Sequence, residues 1–401
     1  FCPDYCKGLP VERCVEVCDK DQFYLEHYPE VEDRIKAGVF LTPEDHFLQR
    51  GKRQQYAYNC FRKFQNDGIG TQLECLDVWK KFVNNTEDFV KQWPVHGIPH
   101  DLPPEQCKAL LLINGKGGNW IDYTLRVHRR YMGPDWEFYL IGPPHLTQGW
   151  REKYEGPMLH VVDLPPQFGT LKRYPKEVNE LYRSLWLWNE TIQCEYILHT
   201  HTDVLMFRPG VEDFLEYSYA GAPVDPESYV RVEWRRLCIE HTRCGGGGGL
   251  SIRRRSFILR ALENCKEPFT KRSAEDMWYV SCIRSLERDP FFPHPTVSNR
   301  LSMGIKCQVD DPIGMHHTWL FCKASTCAHA IAISMLYRDI YGDYKPSKPC
   351  REGEHVYYHM YPEIMKNADD TSQYPGWDHW STVGKDKDMF YPCFDKVPGM
   401  A

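Results

Sequence analysis

The sequence has no concentration of charge of one sign. Its 401 residues include 49 lysines and arginines against 55 aspartates and glutamates, a formal net charge of −6, and neither sign forms a long block. A nucleic-acid-binding face needs clustered lysine and arginine. The composition therefore argues against nucleic-acid partners, while the length suffices for one large domain with additions or for two domains.

Long apolar runs, internal repeats and a P-loop are also missing. No stretch approaches the roughly 18 apolar residues of a membrane span, so we expect none in this chain. The start at Phe1 rather than Met leaves open a removed signal peptide or anchor. The glycine-rich NGKGG at 114–118 lacks the G-x4-G-K-[ST] spacing of a phosphate cradle, so we interpret it as a turn.

Cysteine, in contrast, is abundant. Four of the 17 cysteines lie at positions 2, 6, 14 and 18, and their C-x3-C spacing favours disulfides over a zinc cluster with tight C-x2-C pairs. Two N-glycosylation sequons, Asn84-Asn85-Thr86 and Asn189-Glu190-Thr191, agree with an oxidising compartment. We therefore expect a protein of the secretory pathway, in the Golgi lumen or secreted.

The order of the predicted elements indicates an α/β fold. After a proline-rich linker at 99–107, KALLLI, the helical pattern IDYTLRVHRRYM and WEFYLIG form a strand-helix-strand unit. Continued alternation predicts a Rossmann-like three-layer sandwich with a mainly parallel sheet, which binds ligands beyond the carboxyl ends of its strands. We predict a cysteine-rich N-terminal region (1–106), a catalytic domain (107–322) and a C-terminal extension (323–401) packed on it.

The stretch EYILHTHTDVLMF at 195–207 places polar side chains in an otherwise buried strand. Alternation along one strand would put His199, His201 and Asp203 on one face, where they could hold a divalent cation. Burying an unpaired carboxylate is costly, and a metal ion or a basic partner would relieve that cost. A set of hydrogen-bonded core polar groups is the structural alternative.

Three further motifs follow this strand in the chain. The five glycines at 245–249 are interpreted as a loop that lets the backbone approach a ligand closely. SAEDMW at 273–278 predicts a helix start with Glu275 and Asp276 in its first turn, where a carboxylate serves either as a cap or as a general base. The last motif, DDPIGMHHTW, brings a histidine pair after a glycine turn.

Taken in order, HTD (201–203), the glycine loop, AED (274–276) and the late histidine at 316 resemble the motifs of glycosyltransferases of the GT-A fold. A closer likeness is to a poorly characterised family of predicted GT-A enzymes. Four stretches over roughly 107–320 carry that likeness: MGPDWEFYLIGP, HTDVLMF, FLEYSYAGAP and GGGLSIRRRS. The resemblance implies a nucleotide-diphosphate sugar as donor and a hydroxyl of a glycan or glycoprotein as acceptor.

The resemblance also implies roles for individual residues. Asp203 matches the last aspartate of the Asp-x-Asp motif and His316 the late histidine, so both are expected to bind Mn2+ or Mg2+. Asp276 matches the base that deprotonates the acceptor in inverting enzymes, with Glu275 as its neighbour in the motif. Four glycines match the family loop that lies against the donor sugar: Gly246, Gly247, Gly248 and Gly249.

The departure from the family pattern is His201, which stands where the first acidic residue of Asp-x-Asp is expected. Imidazole can ligate Mn2+ or hydrogen-bond ribose and phosphate, but it brings no negative charge. Two other functions stay open: a carbohydrate-binding, non-catalytic relative, and a zinc-dependent hydrolase that uses His199 and His201.

Overall fold

The structure is a computed structural model. It describes residues 25, 29–37, 42–46, 75–118, 120–171, 176–223, 246–265, 275–286, 291–303, 311–316, 322, 324–342, 344–362, 372, 374–387 and 389–394. The chain divides into two compact units, one of residues 1–73 and 367–375 and one of residues 74–366 and 376–401. The four N-terminal cysteines and Gly245 lie outside the described residues. The predicted domain boundaries at 106/107 and 322/323 stay predictions.

The helices and strands alternate over the middle of the chain, as the sequence pattern predicts. The helices are α1 Pro29–Lys36, α2 Pro43–His46, α3 Cys75–Val90, α4 Trp120–Met132, α5 Pro144–Tyr154, α6 Lys176–Tyr182, α7 Arg255–Asn264, α8 Glu275–Leu286, α9 Pro295–Leu301, α10 Ala324–Ile333, α11 Met335–Tyr341, α12 Arg351–Met360 and α13 Pro375–His379. The strands are β1 Lys108–Ile113, β2 Glu137–Gly142, β3 Leu159–Asp163, β4 Tyr196–Thr200, β5 Val204–Met206, β6 Tyr219–Ala222, β7 Gly247–Arg254, β8 Ser302–Met303 and β9 Gly314–His316.

Six strands form the central sheet in the order β3-β2-β1-β4-β7-β6. The first four are mutually parallel, and β7 runs antiparallel to both β4 and β6. Parallel neighbours need long crossovers, and α4 and α5 supply them between β1, β2 and β3. The predicted α/β class with a mainly parallel sheet is confirmed.

Both faces of the central sheet are covered. Ala109 and Leu111 belong to a core that includes Ile258 of α7 and Val280 of α8. Leu110 and Leu112 point to the opposite face by strand alternation and are equally inaccessible to solvent. A strand that is buried on both faces has no polar alternation, which explains why KALLLI is continuously apolar.

A second sheet of three strands, in the order β5-β9-β8, begins where β4 ends. The expectation that 195–207 forms one strand is wrong: β4 stops at Thr200, and β5 starts at Val204 and pairs with β9. The residues between them form a turn in which the Val204 N–H donates to the His201 carbonyl at 3.2 Å. His199 and the pair His201 and Asp203 therefore belong to different local structures.

Disulfides brace the second unit. The described residues contain Cys75–Cys327, Cys107–Cys194, Cys265–Cys282 and Cys350–Cys393. The expected disulfide bonding is confirmed for these cysteines, and it is typical of proteins from oxidising compartments. Within the described part of the chain, no helix has both the length and the apolar character that crossing a bilayer requires.

Candidate active site

Three predicted ligands converge just beyond the carboxyl end of β4. The Nδ1 atom of His201 lies 3.2 Å from Nε2 of His316, and Asp203 Oδ1 lies 3.8 Å and 3.6 Å from these two atoms. The pairing of β5 with β9 sets Val204 opposite His316 and so brings together residues 115 positions apart in sequence. The side chains are partly accessible, with exposed fractions of 37% for His201, 28% for Asp203 and 14% for His316.

The chemistry of this donor set fits a divalent metal ion. Two imidazole nitrogens and one carboxylate oxygen lie within 4.8 Å of one another. Imidazole suits first-row transition metals, whereas Mg2+ is bound almost wholly by oxygen. The residues present therefore fit Mn2+ better than Mg2+.

Two neighbouring glycines of β7 lie next to different predicted site residues, Gly249 next to His316 and Gly248 next to Glu275 and Asp276. A Cβ added to Gly249 would overlap the imidazole of His316, so only glycine allows this approach. A Cβ on Gly248 would come within 3.0 Å of Glu275 and 3.1 Å of Asp276. The prediction of a glycine loop is partly wrong, because Gly247, Gly248 and Gly249 are the first three residues of strand β7.

The other two predicted glycines lie against β6 instead. Gly246 has a φ of 96° and packs on the backbone of Gly221 and Ala222. Gly247 pairs with Ala222, and a Cβ on it would have that residue's carbonyl 3.9 Å away as its nearest neighbour. Both glycines thus lie against β6 at the start of β7.

Asp276 anchors the glycine strand to helix α8. One carboxylate oxygen accepts the Gly248 N–H at 2.9 Å, and the other accepts the N–H of Met277 at 2.7 Å. The carboxylate thus sits at the start of α8, as the sequence predicts, and its position is fixed by two backbone donors. The Asp276 carboxylate binds Gly248, and the next residue, Gly249, contacts His316.

Glu275 pairs with a buried arginine that the motif analysis did not single out. Arg253 is fully buried, and its guanidinium lies 3.1 Å from Glu275. Tyr182, Tyr219 and Tyr279 surround the guanidinium, with ring centroids 5.1–5.6 Å away. Burial works against the charge of Arg253, but the neighbouring Tyr219 and Glu275 raise its pKa above the ordinary value.

His199 is fully buried, and both of its ring nitrogens are engaged. Nδ1 lies 2.6 Å from the Gly248 carbonyl, and Nε2 is hydrogen-bonded to the Tyr182 hydroxyl. Burial, followed by the charge of Arg253, lowers its pKa well below the usual value, so the ring is neutral. A zinc pair made of His199 and His201 does not form in this structure, because His199 has no ring nitrogen left for a metal.

The glycine-rich NGKGG segment and two C-terminal tryptophans have structural roles. NGKGG is a turn, in which Asn114 Oδ1 accepts the N–H groups of Lys116 and Gly117 at 2.8 Å each. In the C-terminal region, Trp380 is 3% exposed and its indole N–H donates to the Met389 carbonyl at 2.8 Å, so it packs in the core. Trp377, half-buried, packs against Trp380 with 5.1 Å between ring centroids.

Comparisons with known proteins place the site inside a matched region. A family model described as "Protein of unknown function (DUF5672)" matches residues 159–316, from the first residue of β3 to His316. No curated protein matches the sequence.

Several solved structures are similar to parts of the chain. The glycosyltransferase GlyE of Streptococcus pneumoniae TIGR4 matches with 11% identity over 69% of this chain and a TM-score of 0.32. Mouse xyloside xylosyltransferase 1 matches with 9% identity, covering 50% of this chain and 87% of its own, at a TM-score of 0.31. The mannosyltransferase Ktr4p of S. cerevisiae matches with 9% identity at a TM-score of 0.26, over 55% of this chain and 78% of its own. The chain spans 64% of the length of GlyE. Similarities of this degree assign no activity.

Proposed function

We propose that the protein is a glycosyltransferase that moves a sugar from a nucleotide-diphosphate sugar to a hydroxyl of a glycan or glycoprotein. The observation that carries the proposal is the convergence of His201, Asp203 and His316 beyond the carboxyl end of β4. Asp276 approaches the same glycine strand from helix α8. A cation site next to a fixed carboxylate is the arrangement that this transfer needs.

The proposed cofactor is Mn2+, with Mg2+ as the weaker candidate. His201, Asp203 and His316 would hold the ion through two nitrogens and one oxygen. A bound divalent ion would offset the negative charge that develops on the departing nucleoside diphosphate. Three protein ligands leave coordination positions for diphosphate oxygens and water.

Asp276 is the proposed general base, with Glu275 as its neighbour in the motif. The acceptor hydroxyl would give its proton to the Asp276 carboxylate while its oxygen bonds to the anomeric carbon. The bond between that carbon and the diphosphate oxygen breaks at the same time, and the nucleoside diphosphate leaves. Attack from the face opposite the leaving group inverts the configuration. Glu275 supports this role by neutralising Arg253.

The proposed location is the Golgi lumen or the exterior of the cell. The four described disulfides support an oxidising compartment. Nucleotide-sugar transfer to glycans or glycoproteins would fit the same compartment.

The test is a screen of nucleotide-diphosphate sugars by thermal shift, with and without Mn2+, followed by a transfer assay with the donor that stabilises the protein. Asp276→Asn should abolish transfer while donor binding stays within about threefold, because the remaining amide oxygen can still accept the Gly248 N–H. Asp203→Asn should remove the effect of Mn2+ on donor binding. Asp88→Asn, on the exposed face of α3 with 84% of its side chain accessible, is the matched control and should behave as the unaltered protein. Donor binding without turnover would instead support a non-catalytic carbohydrate-binding protein, and no response to any donor would contradict the proposal.

A further inference from the structure

The strand that carries Gly248 and Gly249 is held at one residue, Gly248, through both its N–H and its carbonyl group. The Gly248 N–H donates to Asp276, and the Gly248 carbonyl accepts from Ser251 Oγ at 2.9 Å and lies 2.6 Å from His199 Nδ1. Arg253 reaches the same carbonyl at 3.4 Å. The Gly248 carbonyl belongs to the peptide group that leads into Gly249, and Gly249 packs on His316, so a shift of this carbonyl would move the backbone that the His316 ring contacts.

The shortest contact of the His199 ring assigns its proton. A carbonyl oxygen only accepts hydrogen bonds, so the 2.6 Å contact with Gly248 makes Nδ1 the protonated nitrogen. Arg253 Nη2, 3.3 Å from the same nitrogen, is then a neighbouring donor that makes no hydrogen bond to it. Nε2 is then the acceptor, and the Tyr182 hydroxyl donates to it. The Tyr182 hydroxyl, which can donate or accept, is compatible with this tautomer and completes it by donating to Nε2.

His199 also supports the second histidine of the cluster. Its ring meets that of His201 edge to face, with 4.8 Å between centroids and an angle of 89° between planes. The ring of His201 in turn meets that of His316 with 5.1 Å between centroids. His199 therefore touches one candidate ligand directly and acts on the other through Gly248 and Gly249.

We propose that His199 is a positioning residue, whose Nδ1–H, in the tautomer that Tyr182 completes by donating to Nε2, locks the Gly248 carbonyl and so holds His201 and His316 in ligating positions. The inference rests on the proposed function only where it concerns metal binding. The lock on Gly248 follows from the hydrogen bonds alone. Groups that orient metal ligands in this way contribute about 10–100-fold to metal affinity.

Two substitutions at position 199 distinguish the effect of the hydrogen bond to Gly248 from the effect of losing the imidazole ring. In His199→Asn the amide nitrogen takes the place of Nδ1, so the bond to the Gly248 carbonyl can persist. In His199→Gln the longer side chain places its amide near Nε2 instead, so the contact with Tyr182 persists and the bond to Gly248 is lost. Both variants lose the imidazole, and they differ in which hydrogen bond they keep.

The first measurement is hydrogen exchange of segment 246–252, which requires no metal. We expect protection close to that of the unaltered protein in His199→Asn and exchange at least about tenfold faster in His199→Gln. Ser251→Ala, which removes the other short bond to the Gly248 carbonyl, should also accelerate exchange and serves if His199→Gln does not fold. Protection in His199→Gln equal to that of the unaltered protein would overturn the proposal, whatever Ser251→Ala shows.

The second measurement is the tautomer of His199 in the unaltered protein, read from long-range ¹H–¹⁵N correlations after selective histidine labelling. The signal is identified by its absence in His199→Asn, and protonation at Nε2 would overturn the proposal.

The third measurement is the affinity for Mn2+. His199→Gln should bind Mn2+ about tenfold more weakly than His199→Asn. If the unaltered protein binds no Mn2+, the metal-binding part of the proposed function is wrong. The hydrogen-exchange and tautomer measurements still test whether His199 holds the Gly248 carbonyl. Equal Mn2+ affinity in the two variants of a metal-binding protein would contradict the role of His199 in positioning the ligands.

Discussion

Gly249 packs directly against the imidazole of His316, and a Cβ at position 249 would overlap the ring. Two residues that are far apart in sequence are thus in contact because β7 begins and β9 ends at the same place, near the carboxyl end of β4. We predict that Gly249→Ala displaces His316 and lowers Mn2+ affinity by about tenfold or more. Isothermal titration with Mn2+ measures this change directly.

Gly247→Ala is the matched control for this prediction. The nearest atom to an added Cβ at 247 is the Ala222 carbonyl oxygen at 3.9 Å, an ordinary contact. Its Mn2+ affinity should therefore stay within about twofold of the unaltered protein. An equal loss in both alanine variants would indicate a general effect on β7 and not a specific contact with His316.

Glu275 is predicted to stabilise the fold as the partner of Arg253. Because Arg253 is fully buried, Glu275→Gln leaves an uncompensated charge and should lower the free energy of unfolding by about 3–5 kcal/mol. The double variant Arg253→Met/Glu275→Gln should lose less than the sum of the two single changes. Urea unfolding of the four proteins gives the coupling energy.

The control for this pair is Arg254, one residue along. Arg254 pairs with Glu195 at 3.2 Å, but 30% of its side chain is exposed. Arg254→Met should therefore cost only about 1 kcal/mol or less. If Arg253→Met and Arg254→Met lower the free energy of unfolding equally, burial does not determine how much the Arg253–Glu275 pair stabilises the fold.

His201→Asp should restore a second carboxylate to the candidate metal site. Replacing an imidazole nitrogen by a carboxylate oxygen favours Mg2+, so the ratio of Mn2+ to Mg2+ affinity should fall by about tenfold, or about 1.4 kcal/mol. Competition between the two ions, followed by the electron paramagnetic resonance signal of free Mn2+, measures the ratio. His145→Asp on the exposed surface of α5 should leave it unchanged, and an unchanged ratio in His201→Asp would remove His201 from the ligand set.

Acid should destabilise the protein through His128. This side chain is fully buried between the Thr124 carbonyl and Thr200 Oγ1, and burial lowers its pKa to about 4. Between pH 6.5 and 4 the unfolded chain binds a proton that the folded chain does not, so stability falls as the pH falls through this window. A shift of this size corresponds to about 3 kcal/mol at most.

Chemical unfolding at pH 7, 5.5 and 4 checks this dependence. His128→Gln should show a smaller loss between pH 7 and 4 than the unaltered protein. Part of the dependence should remain, because burial also lowers the pKa of His329 to about 4. The exposed-site control His145→Gln should keep the full dependence, and an unchanged slope in His128→Gln would refute the assignment.

The sequence by itself determined the fold class and the order of the site motifs. Continuous apolar strands such as KALLLI, the helical pattern of α4 and the start of α8 at Glu275 follow from local periodicity and capping preferences, which depend only on neighbouring residues. The resemblance to GT-A enzymes likewise needed only the order of HTD, the glycines, AED and the late histidine.

Only the tertiary structure decided how the site residues are used. Sequence periodicity gave His199, His201 and Asp203 one face of one strand, but pairing with a second sheet ends β4 at Thr200 and separates their surroundings. The burial of Arg253, its three tyrosine neighbours and the lock on Gly248 depend on contacts between distant segments. In SIRRRS the three arginines look equivalent, and only the register of β7 selects the one that is buried. Local sequence sets which elements form, whereas the packing of those elements decides which polar groups lose water and must find a partner.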